Sequence, residues 1–107
     1  MPKRFRLLVN HIRKNLPCAF PVYVRRKPIK DWGGAIRIGK KFNIVLSPLL
    51  TEPALSLIFL HEYAHCLAWN HLDDVSSSEE LDKRAHDEIW GVAYSRVYQV
   101  YEKFICS

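Results

Sequence analysis

Two histidines four residues apart, with a glutamate directly after the first, stand in the segment His61-Glu62-Tyr63-Ala64-His65. On an α-helix, residues four apart lie one above the other, so His61 and His65 can bind one metal ion from a single face. Glu62 lies about a third of a turn away, where its carboxylate can act on a water molecule held by the ion. The pattern therefore predicts a zinc site that activates water.

The residues around this motif predict a helix with little polar surface. One helical stripe holds Ala54, Leu57, Ile58, His61, His65, Ala68 and Leu72. Most of the remaining surface is also apolar, through Leu55, Phe59, Leu60 and Leu67. A helix that is apolar nearly all round is expected to be buried. Buried imidazoles need partners, which a zinc ion would provide for both rings. The alternative is a pair of core histidines bonded to backbone or side-chain groups.

Cys66 directly follows His65 and could be considered as a fourth ligand. It points about 100° away from His65 on a helix, which favours a small buried apolar residue instead.

A catalytic zinc keeps three protein ligands and one open position, so a third ligand must be found. His71 would complete the spacing H-x3-H-x5-H of the metzincin proteases. That arrangement needs a chain reversal, normally at a glycine, where this chain has Ala68. On an unbroken helix His71 would point about 120° from His65. The methionine turn of metzincins also has no counterpart, because the only methionine is Met1.

Acidic residues further along the chain offer a second choice for the third ligand. Glu79, Glu80 or Glu88 on a following helix would give the arrangement of the gluzincins. Acidic residues near the start of a helix are also common because they stabilise the helix dipole.

His86 is the third candidate, and it stands in a segment that resembles a known family. The stretch from His86 to Tyr94, HDEIWGVAY, is similar to the segment of SprT-like and related small phage-encoded zinc peptidase domains in which a histidine opens the last helix. The resemblance extends over about residues 22–101 and includes the glycine-bearing turn, the strand FNIVL and the motif itself. It implies that His61, His65 and His86 hold zinc and that Glu62 is the general base. SprT proteins usually carry a downstream zinc ribbon, and we expect a catalytic domain without one here.

Three neighbours of His86 could contribute to such a site. Trp90 and Tyr94 follow His86 at helical spacing. Packing against the motif helix is expected for Trp90, whereas the phenol of Tyr94 is a catalytic candidate that could stabilise an oxyanion. Asp87 could orient a ligating imidazole or serve at the start of a helix.

The remaining sequence predicts one α+β domain over residues 1–107, of the zincin-like minimal metallopeptidase type. We expect a basic N-terminal helix within 1–20, a small sheet over 21–47, the motif helix over 51–70 and a C-terminal helix over 79–104. Short glycine-bearing links favour hairpins, so the sheet is predicted to be mostly antiparallel, with the helices packed on it. The C-terminal helix has an apolar stripe of Ile89, Trp90, Ala93, Tyr94, Val97, Val100 and Phe104.

Charge is distributed unevenly along the chain. Residues 1–41 carry twelve Lys and Arg against one acidic residue, Asp31, whereas residues 42–107 carry four against ten. Such a basic face can attract non-specific DNA or an acidic partner, although the same charges also simply solvate a surface.

The three cysteines form no CxxC pair, and no signal peptide or membrane-spanning run is apparent. We therefore expect a cytoplasmic protein that does not associate with membranes.

Two functions follow from these features. The first is a Zn2+-dependent endopeptidase that acts on a protein or peptide substrate. We expect the substrate to extend along an edge strand of the sheet, namely the strand just before the motif helix. The second is a basic nucleic-acid- or protein-binding module whose zinc site is structural or inactive. The first requires Glu62 to work as a base, and the second requires only the basic face.

Overall fold

The computed structural model describes residues 2–69 and 88–106. In these ranges the elements are helix α1 (Lys3–Asn15), strands β1 (Val22–Arg26), β2 (Gly33–Ile38) and β3 (Lys41–Leu46), helix α2 (Glu52–Ala68) and helix α3 (Glu88–Ile105). The predicted α+β class is confirmed. The expected start of the last helix, at residues 79–87, lies outside the described residues. None of the helices described is long and apolar enough to cross a membrane.

The three strands form a mixed sheet in the order β1-β3-β2. β2 and β3 pair antiparallel, from Ile38 opposite Lys41 at the turn to Gly33 opposite Leu46. The turn between them uses a positive φ of 60° at Gly39, which a residue with a side chain rarely adopts. This hairpin was predicted from the sequence.

β1 pairs parallel with β3, so the expectation of a mostly antiparallel sheet is wrong. The physical reason is that β3 lies between the two earlier strands. The connection over residues 27–32 therefore carries the chain past two strand spacings, or about 10 Å, before β2 begins. β3 is the central strand among those described, and a substrate cannot pair alongside it. The expectation that a substrate would extend along this strand is also wrong.

One face of the sheet packs against α2. Phe42, Ile44 and Leu46 of β3 are buried in the hydrophobic core, which also contains the buried residues of α1 and α2. At Gly33 the strand comes so close to α2 that an added Cβ atom would lie 2.6 Å from Cγ2 of Ile58. A glycine at this position therefore allows β2 to lie directly against the helix that carries the motif.

α3 packs against α2 and places its Ala93 and Val97 in the core. The predicted apolar stripe of this helix is therefore confirmed for Ala93 and Val97, which are buried, and for Val100 and Phe104, which are partly buried. Ile89 is exposed, so its place on the stripe does not bury it.

Candidate metal centre

The motif lies in the second half of α2, a helix with one face in the core and one face open. Buried residues of the motif region include Phe59, Leu60, Tyr63 and Ala64. The predicted stripe that carries the histidines is less buried than these residues. On this stripe Leu57 is exposed, and Ile58 and His61 are only half-buried. The prediction of a helix buried on all sides is therefore wrong for this stripe. It lines a cavity instead, which a site that admits a substrate requires.

The imidazoles of His61 and His65 lie one helical turn apart on this face. Their ring centroids are 4.9 Å apart and their planes meet at 76°. His65 is 3% exposed, and His61 lines an open cavity of about 910 Å³. The structure thus brings these two predicted ligands together, with His61 at the wall of a cavity large enough for part of a polypeptide and His65 buried behind it.

Glu62 lies in the same cavity wall although its side chain is only 4% exposed. Imidazole nitrogen is a preferred zinc ligand, so His61 and His65 could occupy two of the three ligand positions of a catalytic zinc. The residues described therefore fit such an ion in part, and a third ligand has to come from elsewhere. Glu62 follows His61 directly, where its carboxylate could act on a water molecule held by the ion.

Trp90 at the start of α3 packs against both imidazoles. Its ring centroid lies 5.2 Å from that of His61 and 5.5 Å from that of His65. Tyr94, one turn later, stacks on Trp90 with centroids 5.0 Å apart and planes at 19°. Tyr94 also lines the cavity with His61 and Glu62. The two aromatic residues therefore connect α3 to the motif, and Tyr94 extends the stack to the cavity.

The candidates for the third ligand cannot be placed in the same way. His71, His86, Asp87, Glu79 and Glu80 lie outside the described residues. In residues 2–69 and 88–106, no group of three His, Cys, Asp or Glu side chains comes together in a metal-binding arrangement.

The end of α2 removes one argument against His71. The helix ends at Ala68, and Trp69 has an extended backbone with a ψ of 122°. The helix is therefore broken before His71, and the 120° offset expected on an unbroken helix does not apply.

Cys66 and Tyr63 face away from the cavity. Cys66 lies in the core, and its burial raises the pKa of its thiol well above the usual value, with smaller contributions from Cys18 and Glu62. The hydroxyl of Tyr63 donates a hydrogen bond of 2.6 Å to the carbonyl oxygen of Leu16. Tyr63 of the motif and Cys66 directly after it therefore anchor the helix in the core.

Sequence reasoning missed the opposite wall of the cavity. It is formed by the connection between β1 and β2 and by the start of β2, with Lys27, Lys30, Asp31 and Trp32 among the lining residues. In the sequence Trp32 stands before two glycines, a pattern that indicates only a turn. An exposed tryptophan within a glycine-bearing connection is the one signal that could have indicated this wall.

Comparisons with known proteins add no relative. No family model, curated protein or solved structure matches the chain.

Proposed function

We propose that this chain is a zinc-dependent endopeptidase of the SprT-like type. The observation that supports the proposal best is the pair of imidazoles on α2, with centroids 4.9 Å apart, together with the presence of His61 and the buried Glu62 in the wall of one cavity. A lone structural histidine pair would not need an acidic side chain facing the same cavity.

In this proposal His61 and His65 hold the metal, and His86 supplies the third ligand that the family resemblance implies. Trp90 lies four residues after His86 and touches both imidazoles. Four residues of extended chain span at most about 14 Å, so a zinc ligand at His86 is compatible with the contact of Trp90. Zinc bound there would polarise the scissile carbonyl and lower the pKa of water.

Glu62 is proposed as the general base. Its carboxylate would accept a proton from the attacking water and return it to the nitrogen of the leaving amine. Tyr94 would donate its phenolic proton in a hydrogen bond to the carbonyl oxygen as negative charge develops there. Trp90 would restrict the imidazoles of His61 and His65 by packing against them, which limits their reorientation between turnovers.

The substrate would enter between α2 and the wall formed by β2. Gly33 to Ile36 of β2 line the cavity together with His61 and Glu62. An extended polypeptide placed in this cavity would therefore lie beside β2, rather than beside β3 as the sequence suggested.

The test of this proposal is hydrolysis by the Glu62→Gln variant. Gln is close in size to Glu but cannot accept the proton, so zinc binding should be kept and cleavage of an unfolded protein should fall by several orders of magnitude. Cleavage at the wild-type rate by the variant would show that Glu62 is not the base. Lack of cleavage by the wild-type protein across a broad set of peptides and proteins would favour the binding module.

A second candidate function, the binding of DNA, is favoured by the face of the sheet that lies away from α2. Tyr23 and Arg25 of β1 are exposed there, and Nζ of Lys41 lies 5.8 Å from the centre of the Tyr23 ring. The strands β1, β2 and β3 contain no acidic residue. We refer to Tyr23, Arg25 and Lys41 as the outer sheet face. Cations beside an exposed aromatic ring suit a polyanion whose bases can stack.

A further inference from the structure

A second cavity adjoins the candidate site, and its walls are almost entirely apolar. It has a volume of about 420 Å³ and is lined by Trp32, Leu49, Leu50, Leu57 and Ile58, among others. Two of these side chains are unusually exposed for their type, Leu49 at 81% and Trp32 at 59%. We refer to this space as the apolar cavity. Exposed apolar side chains gathered around one depression often mark a place where a ligand is bound.

The loop that carries Leu49 is held in place by hydrogen bonds. Arg26 donates through Nη2 to the carbonyl oxygens of Pro48, at 2.7 Å, and Leu50, at 3.1 Å. The amide of Leu49 donates to Oγ of Ser47 at 3.2 Å. The amide of Ser47 in turn donates to the carbonyl oxygen of Trp32 at 2.9 Å. These bonds fix both walls of the apolar cavity, so binding there would cost little ordering of the loop.

The apolar cavity adjoins the cavity that contains the motif. Trp32, Leu57 and Ile58 line both spaces. Leu57 precedes His61 by four residues and Ile58 precedes Glu62 by four, so each lies one helical turn, about 6 Å, from its partner in the motif. An extended chain advances about 3.3 Å per residue. The apolar cavity is therefore two or three substrate residues away from a peptide bond placed at Glu62.

We propose that the apolar cavity binds a large apolar side chain of the substrate, such as Leu or Phe, two or three residues from the bond that is cleaved. This assignment rests on the proposed endopeptidase function. It makes Trp32, Leu49 and Leu57 specificity-determining residues, because they form the surface that such a side chain would cover. Burial of an apolar side chain of this size favours binding by a factor of about ten or more. A substrate with a charged or small polar residue at that position would lose this contribution.

Binding can be tested separately from cleavage with the full-length Glu62→Gln variant. The probes are fluorescein-labelled decapeptides of Ala, Lys and Ser that differ only in one central residue, which is Leu, Phe, Ser or Asp. Fluorescence anisotropy should show the Leu and Phe peptides binding about tenfold tighter than the Ser peptide. The added substitution Leu49→Ser should remove this difference. Leu7→Ser is the matched control, because Leu7 is also exposed but lies on α1, away from both cavities.

Cleavage by the wild-type protein gives the second readout. Bonds cut in a mixture of unfolded proteins of known sequence are mapped by mass spectrometry. An excess of large apolar residues two or three positions from the cut bond, lost in Leu49→Ser, supports the proposal. Cleavage without such an excess overturns the proposal and leaves the proposed function intact. Preferential binding of the Leu peptide by Glu62→Gln, with no cleavage by the wild type, supports the apolar cavity and contradicts the proposed function.

Two further results would overturn the proposal. One is equal binding of the Leu and Ser peptides in the Glu62→Gln variant. The other is a concentration-dependent dimer of the wild type that Leu49→Ser converts to a monomer, since a second copy of the chain would then cover this surface.

Discussion

The hydroxyl of Tyr63, in the middle of the motif, donates a hydrogen bond of 2.6 Å to the carbonyl oxygen of Leu16, 47 residues earlier in the chain. Tyr63 is fully buried, and Cys18 lies beside its side chain. The bond ties the helix of the candidate metal centre to the end of α1. It places a buried polar contact directly behind the two imidazoles.

We expect Tyr63→Phe to lower the free energy of unfolding by about 1–3 kcal/mol, because the buried carbonyl of Leu16 loses its donor. Urea denaturation followed by circular dichroism measures this change. Tyr98→Phe is the control, since Tyr98 is partly exposed on α3 and its substitution should have little effect. Equal stability of Tyr63→Phe and the wild type would show that the bond contributes nothing.

Local patterns predicted the motif pair and the hairpin, because both depend on residues close in sequence. The spacing of His61 and His65 fixes their relation on any helix, and the glycine in the turn after Ile38 indicates the hairpin. Strand order depends instead on which faces pack against α2. No pattern of neighbouring residues in the sequence indicates that β3 lies between β1 and β2. The bond from Tyr63 to Leu16 and the wall formed by Trp32 are also tertiary features. Neither could be inferred from spacing alone.

The three cysteines should differ in their reaction with a thiol reagent. Burial raises the pKa of Cys18 from 9.0 to about 11, with the hydrogen bond to Tyr63 acting weakly in the opposite direction. At pH 8 a thiol with this pKa has about 100-fold less thiolate than one at 9.0. Cys106 is exposed and should react first, Cys18 should follow slowly, and Cys66 in the core should react only on unfolding.

Mass spectrometry of timed samples resolves the three sites. The rate at Cys18 should keep rising as the pH passes from 9 to 11, because the thiolate forms only in that range. The folded state holds this proton more tightly than the unfolded state. The contribution of Cys18 to stability is therefore full below pH 9 and is lost as the pH rises through about 11. Faster labelling of Cys18 than of Cys106 at pH 8 would contradict this account.

DNA binding through the outer sheet face should depend on both charge and position. We expect the wild type to bind duplex and single-stranded DNA at low salt and to lose affinity steeply as salt increases. The double substitution Arg25→Ser and Lys41→Ser should weaken binding and reduce the slope of log affinity against log salt by about one to two. The control is Arg96→Ser with Lys103→Ser on α3, which removes the same charge from another surface. Equal loss in both variants, or no binding by the wild type at near-physiological salt, would remove this surface as a DNA site.

The third zinc ligand is tested by two substitutions outside the described residues. We expect His86→Ala to lose zinc and His71→Ala to keep it, since α3 already places Trp90 against the imidazoles of His61 and His65. Metal content by mass spectrometry after gel filtration decides between them. Retention in His86→Ala together with loss in His71→Ala would assign the third ligand to His71.

Zinc binding by the motif pair is the most direct test of the proposed metal centre. Titration of the metal-free wild-type protein with zinc should give about one ion per chain, and His61→Ala or His65→Ala should each weaken binding by more than the 10- to 100-fold typical of residues that only orient a ligand. Cys106→Ser serves as the control, because Cys106 is exposed at the end of α3 and should leave the affinity unchanged. Tight binding of one zinc by the wild type that is lost in both histidine variants is the predicted result. Binding of zinc with wild-type affinity by both His61→Ala and His65→Ala, or no zinc binding by the folded wild type, would contradict the account.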